Sequence, residues 1–250
     1  MALTDTLTLG GLTAEAAATF GDWPVLRGDD PPRRWTHRQL EREVSAWRPR
    51  TRRSGTAPGA RGVIVLLNGV DVFPHVLALA RRQQVPINAR LAASQREVIV
   101  RVARATAVVD AALAARIGAW LAAHPDAALG DVGRRPAREV ALVLCTSGTT
   151  GVPKAAPITS EGILAVARLV HLLPLGQARG PRAGRDRLLC ALPLAHIMGL
   201  ATLLIGLAAG FEVIHQGRFV APRVLATIAT ERVNVFVGAD DVRGHDARLL

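Results

Sequence analysis

The nine residues TSGTTGVPK, at positions 146–154, combine the side chains that a phosphate-binding loop needs. Lys154 is the only lysine in a chain of 250 residues that carries 31 lysines and arginines in total. The same stretch supplies hydroxyl groups and glycines, namely Thr146, Ser147, Thr149, Thr150, Gly148 and Gly151. Glycines let backbone N–H groups turn toward an anion, hydroxyls add donors, and a lysine adds a mobile charge. The stretch predicts a phosphate site, the alternative being an ordinary Ser/Thr/Gly turn.

The loop is not a Walker A motif. In that motif glycine precedes the lysine, serine or threonine follows it, and a helix begins there. Here Pro153 precedes Lys154 and Ala155 follows it, and Pro157 disfavours a regular helix in the next segment. The apolar run EVALVLC (139–145) before the loop predicts a buried strand. A phosphate would therefore be held beyond the carboxyl end of a strand by the loop's own donors.

These residues resemble the signature loop of the adenylate-forming superfamily, which includes acyl-CoA synthetases, adenylation domains of peptide synthetases and luciferases. Three further segments carry the resemblance: RRWTHRQLEREV, with His37 where an aromatic residue is usual; VIVLLNGVDVFPHVLALARRQQVPINARL, with Leu67 where proline is usual; and GFEVIHQGRFVAPRVLATIATERVNVFVG. A fourth, LLCALPLAHIMGL, is similar to the family segment PLxHxxGL. Residues from about 33 to 238 thus resemble the first half of the family's large N-terminal domain.

The resemblance implies a two-step reaction. A carboxylic acid attacks the α-phosphorus of ATP to give an acyl-adenylate and pyrophosphate, and a thiol, commonly coenzyme A, then takes the acyl group. The signature loop, Thr146 to Lys154, would hold the β- and γ-phosphates. A flexible ammonium on Lys154 could follow the charge as it moves onto the leaving group. His196 matches the family histidine beside the acyl pocket, whereas a lone histidine at a strand–helix junction is ordinarily structural.

The chain stops where the family normally continues, so we expect a C-terminally truncated domain. The expected division is a lead-in at 1–32, a partial AMP-binding domain at 33–238 and a divergent tail at 239–250. In the family, the adenine-binding loop, a magnesium-binding glutamate, a ribose-binding aspartate and a second lysine lie further on. ATP, Mg²⁺ and coenzyme A are the expected cofactors and partners, together with a small-molecule carboxylic acid.

Three functions remain open at this point. The first is an acyl-CoA synthetase-like enzyme that is weak or inactive alone. The second is a non-catalytic remnant or interaction subunit that pairs with another chain supplying the missing half. The third is an unrelated phosphate-binding α/β domain.

Composition and the N-terminal pattern bear on other classes of protein, such as nucleic-acid-binding, secreted and membrane proteins. The formal charge of +11 would favour nucleic-acid binding, but the arginines are scattered and no aromatic residues interleave with them. The N-terminus has no signal peptide pattern, so a cytoplasmic protein is expected. Cys145 and Cys190 are predicted to be free thiols in apolar strands rather than a disulfide framework. The uncharged stretch from Leu188 to Phe211 could cross a membrane by length, but Pro193, His196 and Gly199 favour a strand, a loop and a buried helix.

Alternation of short apolar runs with helical runs predicts an α/β fold of layered, mostly parallel sheets with helices. Thr36 is predicted to cap a helix through Trp47, and a loop is expected to follow that helix. Ser160 is predicted to cap a helix to about Leu172, and Pro222 to begin another. Strands are predicted at 63–67, 84–87, 107–110, 139–145, 188–194, 211–215 and 233–238, and further helices at 70–82, 94–104, 111–123 and 196–209.

Overall fold

Within the described residues, the strands of this computed structural model form two five-stranded sheets. The structure describes residues 8–29, 32–53, 61–66, 69–79, 83–88, 91–105, 107–109, 138–146, 154–169 and 185–238, with scattered positions between 112 and 124. The strands are β1 Pro24–Asp29, β2 Pro32–Thr36, β3 Arg61–Leu66, β4 Gln83–Asn88, β5 Ala107–Val109, β6 Val140–Thr146, β7 Lys154–Thr159, β8 Arg187–Cys190, β9 Glu212–His215 and β10 Val235–Val237. The helices are α1 Leu12–Phe20, α2 His37–Arg53, α3 Val72–Leu79, α4 Ala93–Val102, α5 Ser160–Leu169, α6 Ile197–Ala209 and α7 Ala221–Glu231.

Both sheets are parallel except at one edge. The β6 sheet has the order β5-β3-β4-β6-β7, and only β7 runs antiparallel. The β8 sheet has the order β10-β8-β9-β1-β2, and only β2 runs antiparallel. The prediction of mostly parallel sheets with helices is therefore confirmed. Pro157 lies in the edge strand β7, where a missing backbone donor is tolerated.

Helices fill the space between the two sheets. One large apolar cluster, the central cluster, joins residues of α1, α2, α3, α5 and α6 to the inner faces of both sheets. Leu142 on β6 and Leu188 on β8 are examples. Alternate residues of the same strands face outward, where each sheet has its own outer cluster. Val143 packs in one outer cluster with Ile99 of α4, and Leu189 packs in the other with Val224 of α7. The period of two in each strand thus gives five layers, helix–sheet–helix–sheet–helix.

Some local predictions are corrected by the structure. The α2 helix begins as expected, because Thr36 Oγ1 accepts the Gln39 N–H at 3.2 Å and Gln39 Oε1 accepts the Thr36 N–H at 2.9 Å. It continues to Arg53, however, instead of ending at Trp47. The cap of α5 is Thr159 rather than Ser160, since Thr159 Oγ1 accepts the Gly162 N–H at 3.0 Å. The predicted helix 111–123 and the end of the one predicted to Leu172 lie largely outside the described residues.

Sequence analysis gave no elements before residue 33, but α1 and β1 are parts of the core. Leu12 and Phe20 are buried, and β1 pairs in parallel with β9. Charged residues explain why the apolar pattern was weak. Arg34 of β2 donates to the buried carboxylate of Glu212 on β9 at 2.8 Å, and the Arg27 guanidinium on β1 lies 2.6 Å from the Glu231 carboxylate. These partners are distant in sequence, so the strands do not show an apolar alternation.

The uncharged stretch from Leu188 to Phe211 folds as a strand, a turn and a helix. The helix α6 has 13 residues, whereas a bilayer span needs about 20. Among the residues that the structure describes, no helix has the length and apolar character to cross a membrane.

The α7 helix begins without a capping side chain. Val220 occupies the N-cap position, makes no side-chain cap hydrogen bond and is 41% exposed. We predict that Val220→Asp raises the free energy of unfolding by about 1 kcal/mol, because the carboxylate can accept an orphan N–H of the first turn. Denaturant unfolding measures this change. Val220→Asn tests the cap without the charge and Val220→Ala removes only the exposed valine; equal stability of the Asp and Ala variants would contradict the prediction.

Candidate functional site

Thr146 and Lys154 are cross-strand neighbours. Thr146 ends β6, Lys154 begins β7, and the two residues are paired in the antiparallel register. This register places the two backbone positions directly opposite each other at the end of the sheet. The residues between them, Ser147–Pro153, lie outside the described residues. The segment after the loop, in which Pro157 disfavours a helix, forms the strand β7.

Lys154 presents its side chain on the inner face of the sheet, at its end. Ile158, four residues further along β7, packs against the central cluster, and the period of two puts Lys154 on that same face. Ala155, on the opposite face, packs against the outer cluster. Lys154 is exposed, and among the described residues its side chain has no hydrogen bond or ion pair. The single ammonium of the chain is thus available to a ligand.

His196 lies at the corresponding end of the other sheet. It follows β8 as the N-cap residue of α6, with φ −105° and ψ 148°, and its side chain makes no cap hydrogen bond. It is exposed, and so are the next two residues, Ile197 at 38% and Met198 at 55%. The imidazole therefore points away from the packed core, beside an apolar surface. A structural histidine would be packed between the strand and the helix, whereas this side chain is exposed.

The turn that carries His196 packs tightly against its own helix. The His196 N–H donates to the Pro193 carbonyl at 3.1 Å. A Cβ atom on Gly199 would lie 2.2 Å from that same carbonyl oxygen, so only glycine allows this approach. Leu200 is fully buried in the central cluster. In the first turn of this helix, Met198 is therefore open to a ligand, whereas Gly199 and Leu200 pack against the rest of the fold.

The two cysteines are free, as expected, and are unsuited to nucleophilic chemistry. Cys190 is buried in β8 and Cys145 is half-buried in β6. Burial raises the pKa of Cys190 to about 12 and raises the pKa of Cys145. A thiol must ionise to act as a nucleophile, so both remain protonated at neutral pH.

Direct contacts place the carboxyl ends of both sheets at one end of the fold. Gly28, near the carboxyl end of β1, approaches Val70, which follows β3, so closely that a Cβ atom would lie 2.7 Å from the Val70 side chain. Arg33, the register partner of Gly28, lies 2.7 Å from Asp71. Because the inner strands of each sheet are parallel, Thr146, Lys154 and His196 all lie at this same end. Ligands of α/β sheets bind at the carboxyl ends of strands.

Two further histidines, His75 and His215, are buried and do not face an open site. His75 is buried in α3 and its Nδ1 contacts the Asp71 carbonyl. His215 is buried at the end of β9, and His171 lies outside the described residues. In the described part of the chain, no group of three or more histidine, cysteine, aspartate or glutamate residues could hold a metal ion.

A family model described as "AMP-binding enzyme" matches residues 13–242. The chain belongs to this family. The match agrees with the resemblance of the signature loop and of the segment around His196. It begins before residue 33, and α1 and β1 pack with the rest of the domain; the division at residues 33 and 238 stays a prediction.

Relatives of this AMP-binding chain are CoA ligases. It is 37% identical over 122 residues to 4-coumarate-CoA ligase 2 of Narcissus pseudonarcissus, covering 45% of this chain and 20% of that protein. It is 29% identical over 206 residues to the long-chain-fatty-acid–CoA ligase FadD13 of Mycobacterium tuberculosis, covering 72% and 39% of the two chains. The chain thus spans less than half the length of these relatives.

Solved structures show the same fold. The N-terminal domain of FACL13 from Mycobacterium tuberculosis superposes with a TM-score of 0.79 at 20% identity, covering 95% of this chain and 64% of that one. The expected fold, that of an N-terminal domain of adenylate-forming enzymes, is therefore confirmed.

Proposed function

We propose that this chain contributes the phosphate-binding loop and the acyl-side turn of an ATP-dependent acid–thiol ligase. The proposed reaction joins a carboxylic acid to AMP with release of pyrophosphate and then transfers the acyl group to coenzyme A. The observation that carries the proposal is the pairing of Thr146 with Lys154 at the carboxyl end of the β6 sheet of an AMP-binding family member. The relatives described above are both named as CoA ligases, which supports the reaction class.

In this proposal each candidate residue has a role. Lys154 neutralises charge on the β- and γ-phosphates, and the remaining signature residues, Thr146, Ser147, Gly148, Thr149, Thr150 and Gly151, donate hydrogen bonds to them. His196 lies beside the reacting carboxylate, where an exposed imidazole can donate to an oxygen. Ile197 and Met198 give the neighbouring surface an apolar character suited to an acyl or aryl group.

The magnesium ion that accompanies ATP in such enzymes has no ligand set among the described residues. No cluster of acidic, histidine or cysteine side chains in that part of the chain fits a metal ion.

One observation favours a second candidate, an interaction subunit. Ile197 and Met198 expose apolar surface at the end of the fold where a ligand is expected. A partner chain that supplies the rest of the ligase fold would cover this surface. In that case the protein binds phosphate and partner but has no turnover of its own.

A chain with a formal charge of +11 attracts anions in general, so anion selectivity is needed to show a specific phosphate site. We expect pyrophosphate and ATP to saturate one site with millimolar affinity, ahead of sulfate at equal ionic strength, because a few charge-assisted hydrogen bonds must offset a binding cost of about 4–15 kcal/mol. Calorimetric titration at several salt concentrations measures the affinity. Equal binding of all three anions would mean that no built site exists.

We further expect no pyrophosphate release above background when the 250-residue chain is assayed with ATP and a panel of aliphatic and aromatic acids. The reason is that, by the resemblance, the adenine, ribose and metal contacts of the family come from residues that follow the first half of its large N-terminal domain. Acid-dependent release by this chain alone would show that those contacts are dispensable and would exclude the interaction-subunit candidate.

A further inference from the structure

His215 lies directly beneath the turn that carries His196. It is the last residue of β9, is 1% exposed, and its Nε2 lies 3.4 Å from the Leu192 carbonyl oxygen. Val213 faces the central cluster and Ile214 the outer one, so alternation puts His215 on the inner face, toward α6. In the parallel register its neighbours are Cys190 of β8 and Gly28 of β1.

The backbone around this histidine is tied to the same turn. The Gln216 N–H donates to the Cys190 carbonyl at 2.9 Å, which extends the β8–β9 ladder by one bond. Beyond that point β8 leaves the sheet, and the chain reverses through Pro193 to the N-cap residue His196. The Gly199–Pro193 contact fixes the far side of the reversal. The Leu192 carbonyl lies between these two fixed points and meets the His215 side chain.

We propose that His215 is a positioning residue for His196. Its Nε2–H donates to the Leu192 carbonyl and fixes the path of residues 192–196, and with it the direction in which His196 and Met198 face the ligand end. The value of this arrangement to catalysis rests on the proposed function. The arrangement itself does not, because it concerns only the ligand-free chain.

Nuclear magnetic resonance of the ligand-free protein tests the proposal in two ways. In the native chain, we expect the ¹⁵N spectrum to show His215 as the Nε2–H tautomer. In His215→Leu, we expect the His196 amide to exchange with solvent about tenfold faster, while amides of β3 and β4 keep their native rates. His215→Gln places an amide donor near the Nε2 position and should restore slow exchange at His196.

An Nδ1–H tautomer in the native protein would overturn the proposal, and so would native exchange of the His196 amide in His215→Leu. If His215→Leu does not fold, the tautomer and the Gln variant still decide the question. A failure of pyrophosphate binding by the native chain would reject the proposed function while leaving these results unaffected.

Discussion

Acidification from pH 7 to pH 4 is expected to lower the free energy of unfolding by about 6 kcal/mol through two buried histidines, at about 3 kcal/mol each. Burial lowers the pKa of His37 from 6.5 to about 4. Burial also lowers the pKa of His75 to about 4; the bond to the Asp71 carbonyl opposes this shift, and the Arg33 charge adds to it. These are the largest stability effects that we expect from single groups.

The environment of His37 explains why protonation of its ring lowers the free energy of unfolding. The ring packs against Phe20 with centroids 4.8 Å apart, and the residue is 1% exposed. Neither ring nitrogen has a hydrogen-bond partner within the described part of the chain. A charge there would be buried without compensation, so the folded state holds the neutral form.

The direction of the pH dependence follows from linkage. Both histidines bind protons more weakly in the folded than in the unfolded chain, so their contribution is complete above pH 6.5 and is lost as the pH falls toward 4. The lowered pKa of Glu231, caused mainly by its hydrogen bond with Arg27, acts in the same direction at lower pH. Denaturant unfolding at half-unit pH intervals measures the slope.

His37→Phe provides the matched variant. An aromatic residue is usual at this position in the resembled family, and phenylalanine keeps the contact with Phe20 while removing the unpaired nitrogens. We expect higher stability at pH 7 by about 1–2 kcal/mol. We also expect the slope of the unfolding free energy between pH 6 and 5 to fall from about 2.4 to about 1.2 kcal/mol per unit. An unchanged slope would show that His37 does not titrate as its burial requires.

Lys154→Ala is expected to weaken pyrophosphate binding by about 10- to 100-fold, the value of one charge-assisted hydrogen bond of roughly 1.5–3 kcal/mol. No other lysine exists in the chain to substitute for it. Lys154→Arg keeps the charge and should retain most of the binding, because pyrophosphate in the ground state does not require an ammonium that follows moving charge. Calorimetric titration of each variant gives the ratio.

Arg138→Ala is the control for net charge. Arg138 precedes β6 at its amino end, and its side chain is 89% exposed. Its guanidinium lies 3.4 Å from the Glu161 carboxylate. Each alanine variant lowers the formal charge by one from +11, so long-range attraction changes equally. Equal weakening by the two variants would mean that pyrophosphate responds to overall charge rather than to a site at Lys154.

Sequence patterns predicted the helices and strands well where neighbouring residues determine them. Runs of apolar residues located β3, β6 and β9, and the Thr36 cap located the start of α2. The strands β1 and β2 were missed because Arg27 and Arg34 find their compensating carboxylates, Glu231 and Glu212, only after folding. Sequence also favours ending α2 before Pro49, yet the helix continues past it to Arg53.

The candidate site was predicted by residue type, and the structure adds its placement. Residue types marked Lys154, and the resemblance of its segment to the family marked His196, but neither could show that both lie at the same end of two different sheets. That relation depends on the contact between Gly28 and Val70, which no local pattern encodes. The role of His215 was missed for the same reason, because its register with Cys190 becomes visible only when β8 and β9 pair.

One titration tests most directly whether Lys154 and the His196 turn belong to a single ATP site. The chain has one lysine and two methionines, Met1 and Met198, so selective ¹³C labelling gives one lysine signal and an easily assigned Met198 methyl signal. On addition of ATP, we expect the Lys154 and Met198 signals to shift with the same dissociation constant, and we expect the Met198 shift to disappear in Lys154→Ala. Shifts of Lys154 with an unmoved Met198, or two different dissociation constants, would contradict a shared site.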